Sequence, residues 1–425
     1  MQNIDEITYP KFTASMRKTH TILIPSMLEF HMELFEGILK QCNYKVEVLH
    51  NEGPEVIEEG LKYVHNDTCY PATLVIGQFI DALNHRDDLD RVVLLITQTG
   101  GGCRASNYIH LLRKALKKAG YSYIPVVSLN ASNLEKDSGL KLTLPLIVRV
   151  AAAMTYGDLI MYLHNKTRSY EIEKGSSHAL AMRLINEILE QFKNNKGYQF
   201  RYLKKNIKYI AKCFDELKLD TSHAIPKVGV VGEIYVKYAS LGNNRLEEFL
   251  VSQHAEVMVP GLYGFILYTL YNGLYDRELY HTSLKGAILN KLLIKYLRKR
   301  EKLMIDSISK TKFTPMKYFS HTKDLSDGVL DHGTKMGEGW LLTAEMMELV
   351  EIGYGNIVCA QPFGCLPNHI CGKGVMKKIK SIHPDANIVA IDYDPSATKV
   401  NQENRIKLML AIARERIKED EKAKL

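Results

Sequence analysis

Short apolar runs alternate with helical patterns through the first third of the chain. The runs are rich in Val, Ile and Leu and are bounded by turn residues, which is typical of buried strands. Between them, apolar residues recur every three or four positions and predict amphipathic helices. This alternation predicts a parallel sheet with helices on both faces. The predicted strands are HTILIPSM (20–27), KVEVLH (45–50), RVVLLITQT (91–99) and IPVVSLN (124–130).

The pattern changes twice further along. It is helical throughout 141–225, and strands return at Pro226. We therefore predict an α/β protein with two Rossmann-like parallel-sheet lobes, 1–140 and 226–425, separated by a helical insertion at 141–225; the second lobe also carries long helices. The two lobes are candidates for distant copies of one design. Predicted strands of the second lobe are KVGVVGEIYV (227–236), AEVMVPG (255–261), NIVCAQPFG (356–364) and NIVAIDYD (387–394).

The most apolar window, LTLPLIVRVAAAMTYGDLIMYL (142–163), has the length of a membrane span. It contains Pro145, Arg149 and Asp158, which favour a buried helix over a membrane helix. The N-terminal sequence MQNIDEITYPKF does not have the charged-then-apolar pattern of a secretory signal. We therefore expect a cytoplasmic protein without a membrane partner.

Charge and cysteine content narrow the function further. The net charge of +8 is spread along the chain, without a basic stripe interleaved with aromatic residues, so we do not expect nucleic-acid binding. In a reducing compartment the seven cysteines are expected to be thiols or metal ligands. Cys42 and Cys213 lie in plain helical patterns and are interpreted as buried apolar residues.

The other five cysteines occur in Gly- or Pro-rich turns at or near predicted helix starts. The turns are NDTCYPA with Cys69, TQTGGGCRASNY with Cys103, and VCAQPFGCLPNHICGKG with Cys359, Cys365 and Cys371. A helix N-terminus offers unpaired N–H groups and partial positive charge, which stabilise a thiolate or a bound anion. Glycines let backbone amides approach a large anion. These turns therefore suit a phosphate group or an iron–sulfur cluster.

Three other interpretations compete. The turns match neither the P-loop nor the dinucleotide-binding glycine pattern, which disfavours nucleotide binding. Structural zinc sites bring ligands in close pairs such as C-x-x-C, which this chain lacks. Dispersed thiolates are compatible with an iron–sulfur cluster. Composition alone also allows most of these cysteines to be small buried residues.

A few further residues carry predictions. Gly100, Gly101, Gly102 and Arg104 are candidate cofactor-binding residues, because the glycines expose amides and Arg104 places a cation where an anion would bind. Glu233 is expected to end a strand, and Tyr70 and Tyr108 to pack around the turns. Trp340 follows two nearby glycines and is interpreted as an exposed hinge that opens an amphipathic helix.

With these motifs, the sequence resembles the 2-hydroxyacyl-CoA dehydratase-type iron–sulfur proteins. More narrowly it is similar to acyl-CoA dehydratase activase-related proteins, which occur as free chains or as the C-terminal part of large activase-fused proteins. The resemblance spans residues from about 65 to 410. Besides the cysteine turns, it rests on VGVVGEIYVKYASLGNNRLEEFL and NIVAIDYDPSATKVNQENRIKLML.

The resemblance implies a cytoplasmic iron–sulfur protein of anaerobic metabolism that receives low-potential electrons from an ATP-dependent activase, a BadF-type ATPase. Carried onto this chain, the cluster ligands would be Cys69, Cys103 and Cys365. Cys359 or Cys371 would complete the set, and we favour Cys359 because the pattern puts it at a strand end. A double cubane needs about six thiolates, so a single 4Fe-4S cluster fits better.

The leading hypothesis is an iron–sulfur protein that accepts electrons from the activase and reduces a small substrate or partner. One alternative is a non-catalytic Rossmann-like binding or scaffold protein. Another is an acyl-CoA dehydratase subunit, although nothing in the sequence specifies a 2-hydroxyacyl-CoA pocket. A homodimer is compatible with each of these three hypotheses.

Overall fold

The structure is a computed structural model that describes residues 9–65, 67–98, 102–130, 140 and 143–423. The chain divides into two compact units. The first unit comprises Met1–Met27 and Phe35–Ile147, and the second comprises Leu28–Leu34 and Val148–Leu425. From Val148 onward the helical segment between the predicted lobes therefore clusters with the second sheet.

The first unit is built on a four-stranded parallel sheet with the order β2-β1-β3-β4. Its central strands are nearly continuous apolar runs, as expected for parallel strands whose two faces are covered by helices. The strands are β1 (Thr21–Pro25), β2 (Lys45–Leu49), β3 (Val92–Gln98) and β4 (Val126–Asn130). The helices of this part of the chain are α1 (Glu29–Gln41), α2 (Pro54–Tyr63), α3 (Tyr70–Asn84) and α4 (Tyr108–Ala119), with 3₁₀ turns at Met16–Lys18, Leu89–Arg91 and Arg104–Asn107. The start of α1 belongs to the Leu28–Leu34 segment of the second unit.

The second unit repeats this design. Its sheet is also parallel, with the order β6-β5-β7-β8. The strands are β5 (Lys227–Gly232), β6 (Glu256–Met258), β7 (Asn356–Pro362) and β8 (Asn387–Tyr393). The helices are α5 (Leu144–Thr167), α6 (Ser176–Lys193), α7 (Phe200–Asp215), α8 (Ile234–Tyr238), α9 (Ser240–Asn243), α10 (Leu246–Ser252), α11 (Leu262–Tyr280), α12 (Leu284–Ile308), α13 (Phe319–Thr322), α14 (Gly339–Glu351), α15 (Leu366–Asn368), α16 (Met376–Ile382) and α17 (Lys399–Ala423), with a 3₁₀ turn at Lys323–Ser326 and a π turn at His369–Lys373.

The predicted fold class is confirmed: the protein is α/β with two parallel-sheet lobes. In both sheets the order reverses between the first and third strands of the unit. Ligands of open parallel sheets bind beyond the carboxyl ends of the strands at such a reversal. In the first unit the reversal lies between the ends of β1 and β3, and in the second between those of β5 and β7.

One helix among the described residues, α5, is long and apolar enough to span a membrane. Of its most apolar window, 61% is buried inside the structure. Asp158, within this helix, accepts hydrogen bonds from the backbone N–H groups of Leu262 and Tyr263, at 2.9 and 2.7 Å. The helix therefore packs in the core of the second unit, as its polar residues predict.

Two local predictions were wrong. The strand predicted at 227–236 ends at Gly232, because the Glu233 carboxylate accepts a hydrogen bond from Val236 N at 2.9 Å and caps α8. Trp340 is not an exposed hinge. It is fully buried and donates a hydrogen bond from Nε1 to Asn272 Oδ1 at 2.9 Å. The two glycines before it do adopt positive φ, so the turn was recognised correctly but not its burial.

Candidate functional site

The loop after β3 brings Cys103 to the start of a helical segment. Cys103 is partly buried and extended, with φ −77° and ψ 146°, and it precedes the 3₁₀ turn that leads directly into α4. Arg104 is exposed at the first position of that turn, and Gly102 is exposed just before Cys103. The other two predicted glycines of this loop, Gly100 and Gly101, lie outside the described residues. The Cys103 backbone is thus arranged as an N-cap.

Cys69 has the same position at the start of α3. It is buried, with φ −60° and ψ 143°, and Pro71 lies in the first helical turn, where its missing N–H costs nothing. Its Sγ atom lies 3.1 Å from the hydroxyl oxygen of Tyr108, the first residue of α4. Cys69 therefore lies beside the helix that follows the Cys103 loop, at the carboxyl edge of the first sheet.

Gln98, the last residue of β3, positions the Cys103 loop. Its side-chain amide donates to Ser106 O at 2.9 Å and accepts a hydrogen bond from the Ser128 hydroxyl. Ser106 in turn donates from its hydroxyl to Cys103 O at 2.7 Å. These bonds join the strand end, the turn and the neighbouring strand β4. The sequence does not reveal these bonds. The expected packing of Tyr108 around the turns is seen in its contact with Cys69.

In the second unit, Cys365 follows β7 in the same way. Gly364 has φ +74°, a left-handed conformation that glycine adopts without strain. The chain then turns through Cys365, which is buried with φ −90° and ψ 94°, into α15 and the π turn. The backbone N–H of His369 donates to Cys365 O at 3.2 Å. Cys365 is therefore also the N-cap of a helical segment at a carboxyl edge.

Cys359 and Cys371 lie in different surroundings. Cys359 is fully buried in β7, three residues before the strand ends rather than at its end. Its Sγ packs against Gly372, where a Cβ atom would come within 3.0 Å of the sulfur. Burial, with a contribution from Asp392, raises the pKa of the Cys359 thiol to about 12. Cys371 is buried within the π turn, and burial raises its pKa to about 11.

Polar side chains surround the carboxyl end of the second sheet. Glu338 is buried and accepts hydrogen bonds from Ile234 N at 2.8 Å and from Asn368 Nδ2 at 3.3 Å. Burial, together with the carboxylate of Glu338, raises the pKa of Glu233 to about 8. Burial also raises the pKa of Glu338. Both groups lie beside the β5–β7 reversal of strand order.

Gln361 is a buried polar residue with unsatisfied groups. It is fully buried in β7, and neither its amide oxygen nor its amide nitrogen has a hydrogen-bond partner among the residues that the structure describes. Strand alternation puts it on the same face of β7 as Cys359, two residues nearer the carboxyl edge. Unpaired buried amides are costly, so a ligand or water at this edge would stabilise the fold.

The structure thus separates the five predicted cysteines into two kinds. Cys69, Cys103 and Cys365 are N-caps at the carboxyl edges of their own sheets, and Cys359 and Cys371 lie inside secondary-structure elements. All seven cysteines of the chain are described, and none is in a disulfide. Within the described ranges, no group of three or more His, Cys, Asp or Glu side chains is arranged to hold a metal ion.

No family model matches the chain, and no curated protein matches it either.

Proposed function

We propose that this chain is a cytoplasmic iron–sulfur protein of the 2-hydroxyacyl-CoA dehydratase type, similar to acyl-CoA dehydratase activase-related proteins. In this proposal it accepts low-potential electrons from an ATP-dependent activase and passes them to a small substrate or partner. The observation that carries the proposal is the shared position of Cys69, Cys103 and Cys365, each the N-cap of a helical segment at a carboxyl edge.

The donor type of these three cysteines is that of an iron–sulfur cluster, whereas among the described residues the structure does not group their sulfur atoms as metal ligands. Cys thiolates are the usual ligands of such clusters, and dispersed loops can supply them. An N-cap position exposes the thiol to unpaired N–H groups and to the positive end of the helix dipole, and both favour the thiolate. Cys69 and Cys365 are only 6% and 7% exposed, so water would be largely excluded from their sulfur atoms. Low-potential chemistry benefits from that exclusion.

One-electron transfer is the chemistry that a bound 4Fe-4S cluster would supply. This chain's residues would hold and tune it. The Tyr108 hydroxyl lies within hydrogen-bond distance of Cys69 Sγ and orients that side chain. Gln98 fixes the Cys103 loop through its bonds to Ser106 and Ser128. Arg104, exposed beside Cys103, adds positive charge where an anionic cluster would bind.

Cys359 and Cys371 were the candidates for a fourth ligand. Cys359 packs against Gly372 in the middle of a strand, and Cys371 lies inside a buried turn. Binding iron through either sulfur would require moving packed backbone. We therefore propose that Cys69, Cys103 and Cys365 hold the cluster and that Cys359 and Cys371 serve as core residues.

Single substitutions test this assignment. We expect Cys69→Ala, Cys103→Ala and Cys365→Ala to lose most of the bound iron after anaerobic reconstitution, because each removes a thiolate ligand. Iron and acid-labile sulfide are measured per chain, and far-UV circular dichroism confirms that each variant is folded.

Matched cysteine variants provide the controls. Cys42→Ala, directly after α1, and Cys213→Ala, in α7, remove thiols outside the three cysteine turns and should keep the full iron content, as should Cys359→Ala. Full iron in Cys103→Ala, or equal losses from Cys213→Ala and Cys103→Ala, would overturn the ligand assignment.

The activase is tested separately. Anaerobic mixing with a dimeric iron–sulfur activase, its electron donor and MgATP should reduce this protein, as followed by electron paramagnetic resonance. A non-hydrolysable ATP analogue should not support the reduction. An iron-loaded protein that the activase leaves oxidised would contradict the proposed partner and leave the ligand assignment standing.

A further inference from the structure

The second unit contains a cavity of about 100 Å³ among α5, α11, α12, α13 and α14. Most of its wall is apolar, and part of the wall is adaptable because four methionines line it. Lys317 in the lining is exposed, whereas other lining residues such as Met304 and Leu341 are buried. The methionine and aromatic residues of the wall are Met161, Tyr162, Met258, Tyr263, Met304, Met316 and Phe319.

Four carboxyl groups line this largely apolar cavity, and two of them are already paired with a His or Lys side chain. Asp158 accepts hydrogen bonds from His31 at 2.8 Å and from two backbone N–H groups at the start of α11. Both oxygens of Glu345 lie 3.2 Å from Nζ of the buried Lys237. The remaining two are Glu301 and Glu348.

Glu301 is 4% exposed and only half satisfied. Its Oε1 atom accepts a hydrogen bond from Phe319 N at 2.6 Å. Its Oε2 atom is buried and has no hydrogen-bond partner among the described residues. Because unpaired buried carboxylate oxygens are costly, this atom is a natural acceptor for a donor inside the cavity.

Glu348 lines the same cavity from α14. Its Oε2 atom accepts a hydrogen bond from the Thr322 hydroxyl at 2.9 Å. The short helix α13 thus positions both acids. Glu301 accepts a hydrogen bond from the N–H of Phe319, the first residue of α13, and Glu348 accepts one from the hydroxyl of Thr322, its last residue. Within the described part of the chain, no Lys, Arg or His nitrogen lies within 4.0 Å of either carboxylate.

The pKa values agree with this geometry. Burial raises the pKa of Glu301, and burial with the nearby Glu345 raises the pKa of Glu348 to about 7. Arg298 has a smaller, opposite effect on the pKa of Glu301, and Lys317 also lines the cavity. A cation placed between the two acids would reverse the upward shifts, because it adds positive charge next to both carboxylates. The charges that line the cavity therefore favour a positively charged ligand.

We propose that this cavity binds a small alkylammonium ion, with the ammonium group donating to Glu301 and Glu348 and the alkyl chain packing against the methionines. The apolar wall favours an organic cation over a metal ion, and the described residues provide no group arranged to hold a metal. A cavity of about 150 Å³ accommodates benzene, so this smaller one suits a ligand of about four or five heavy atoms. The inference does not depend on the proposed iron–sulfur function.

Isothermal titration calorimetry of the full chain with n-propylammonium chloride tests the proposal. We expect saturable binding of one ion per chain. Glu301→Gln keeps the size of the side chain and removes its charge, and should weaken binding by about 10- to 100-fold. Glu348→Gln should weaken it as well, and serves as the second variant if Glu301→Gln fails to fold.

The matched control is Asp306→Asn, which neutralises a half-exposed acid on the same helix α12, paired with Lys302 and absent from the cavity lining, and should leave the affinity unchanged. Sodium chloride and n-propanol control for ionic strength and for apolar binding. Absence of saturable binding would show that water alone fills the cavity. Equal affinity for n-propanol, or unchanged affinity in folded Glu301→Gln, would overturn the ammonium site.

Discussion

Buried acidic side chains are the main chemical feature of the second unit at the scale of single residues. Glu345 is paired with Lys237, both less than 5% exposed, so that charge is compensated. Glu348 has a hydroxyl partner but no cation, and its pKa is raised to about 7 by burial. An acid that is easier to protonate in the native state than in the unfolded chain makes stability depend on pH.

This difference predicts a loss of stability as pH rises. Between about pH 4.5 and 7 the native Glu348 holds a proton that the unfolded chain has released, so the free energy of unfolding falls across this window. Glu348→Gln should flatten the fall by up to about 3 kcal/mol. The measurement is urea unfolding at several pH values, with the exposed Glu415→Gln as control. An unchanged pH dependence in Glu348→Gln would contradict the assignment.

At the scale of single residues, the sequence identifies a functional side chain only where its partners are close to it in sequence. Cys69, Cys103 and Cys365 could be identified as helix-start residues, because the turn and the following helix are contiguous in sequence. Glu301 could not be identified, because its partner Phe319 lies 18 positions away and its burial depends on α14. Tyr108 packs around the turns as expected, but its contact with Cys69 could not be identified, since Cys69 lies 39 positions before it.

At the scale of elements, glycines decide how closely the helices pack. Helices α2 and α3 cross at Gly60 and Gly77, both buried. A Cβ atom on Gly77 would lie 2.0 Å from Val56 O and 2.8 Å from Gly60 N. Both neighbours are backbone atoms, which cannot move aside as a flexible side chain can. The crossing therefore requires glycine, and α3, which carries Cys69 at its start, depends on it.

We predict that Gly77→Ala destabilises the first unit by about 3 kcal/mol or more, because overpacking against backbone is relieved only by separating the helices. Thermal or urea unfolding measures the change. Gly286→Ala in α12 is the control, since its nearest neighbour would be Ser283 Cβ at 3.8 Å, and it should be neutral or slightly stabilising. A Gly77→Ala protein as stable as the wild type would refute the close crossing.

The hydrophobic pattern predicted the elements well where it was periodic. All eight strands form within the predicted runs. The pattern failed at 233–236, because a side-chain cap at Glu233 decided between strand and helix. It also failed for Trp340, because the helix α14 is buried on almost every side and an apolar helix of that kind has no exposed face to predict.

At the scale of the whole molecule, the two units share one design. Both sheets are parallel with the same strand order, and in both the third strand ends in a turn that leads to an N-cap cysteine. Gln98 and Gln361 stand near the ends of those strands, five and four residues before Cys103 and Cys365. The shared strand order is expected if the two units are distant copies of one design. In each unit the N-cap cysteine follows a strand that lies at the reversal of strand order.

The central claim is that these thiols hold an iron–sulfur cluster, and iron analysis tests it most directly. The wild-type chain, purified and reconstituted anaerobically, is assayed for iron and acid-labile sulfide, and its electron paramagnetic resonance spectrum is recorded after reduction. We predict brown protein with about four irons and four sulfides per chain and a signal from a reduced cluster. Colourless protein that holds less than about one iron per chain after reconstitution would contradict the claim.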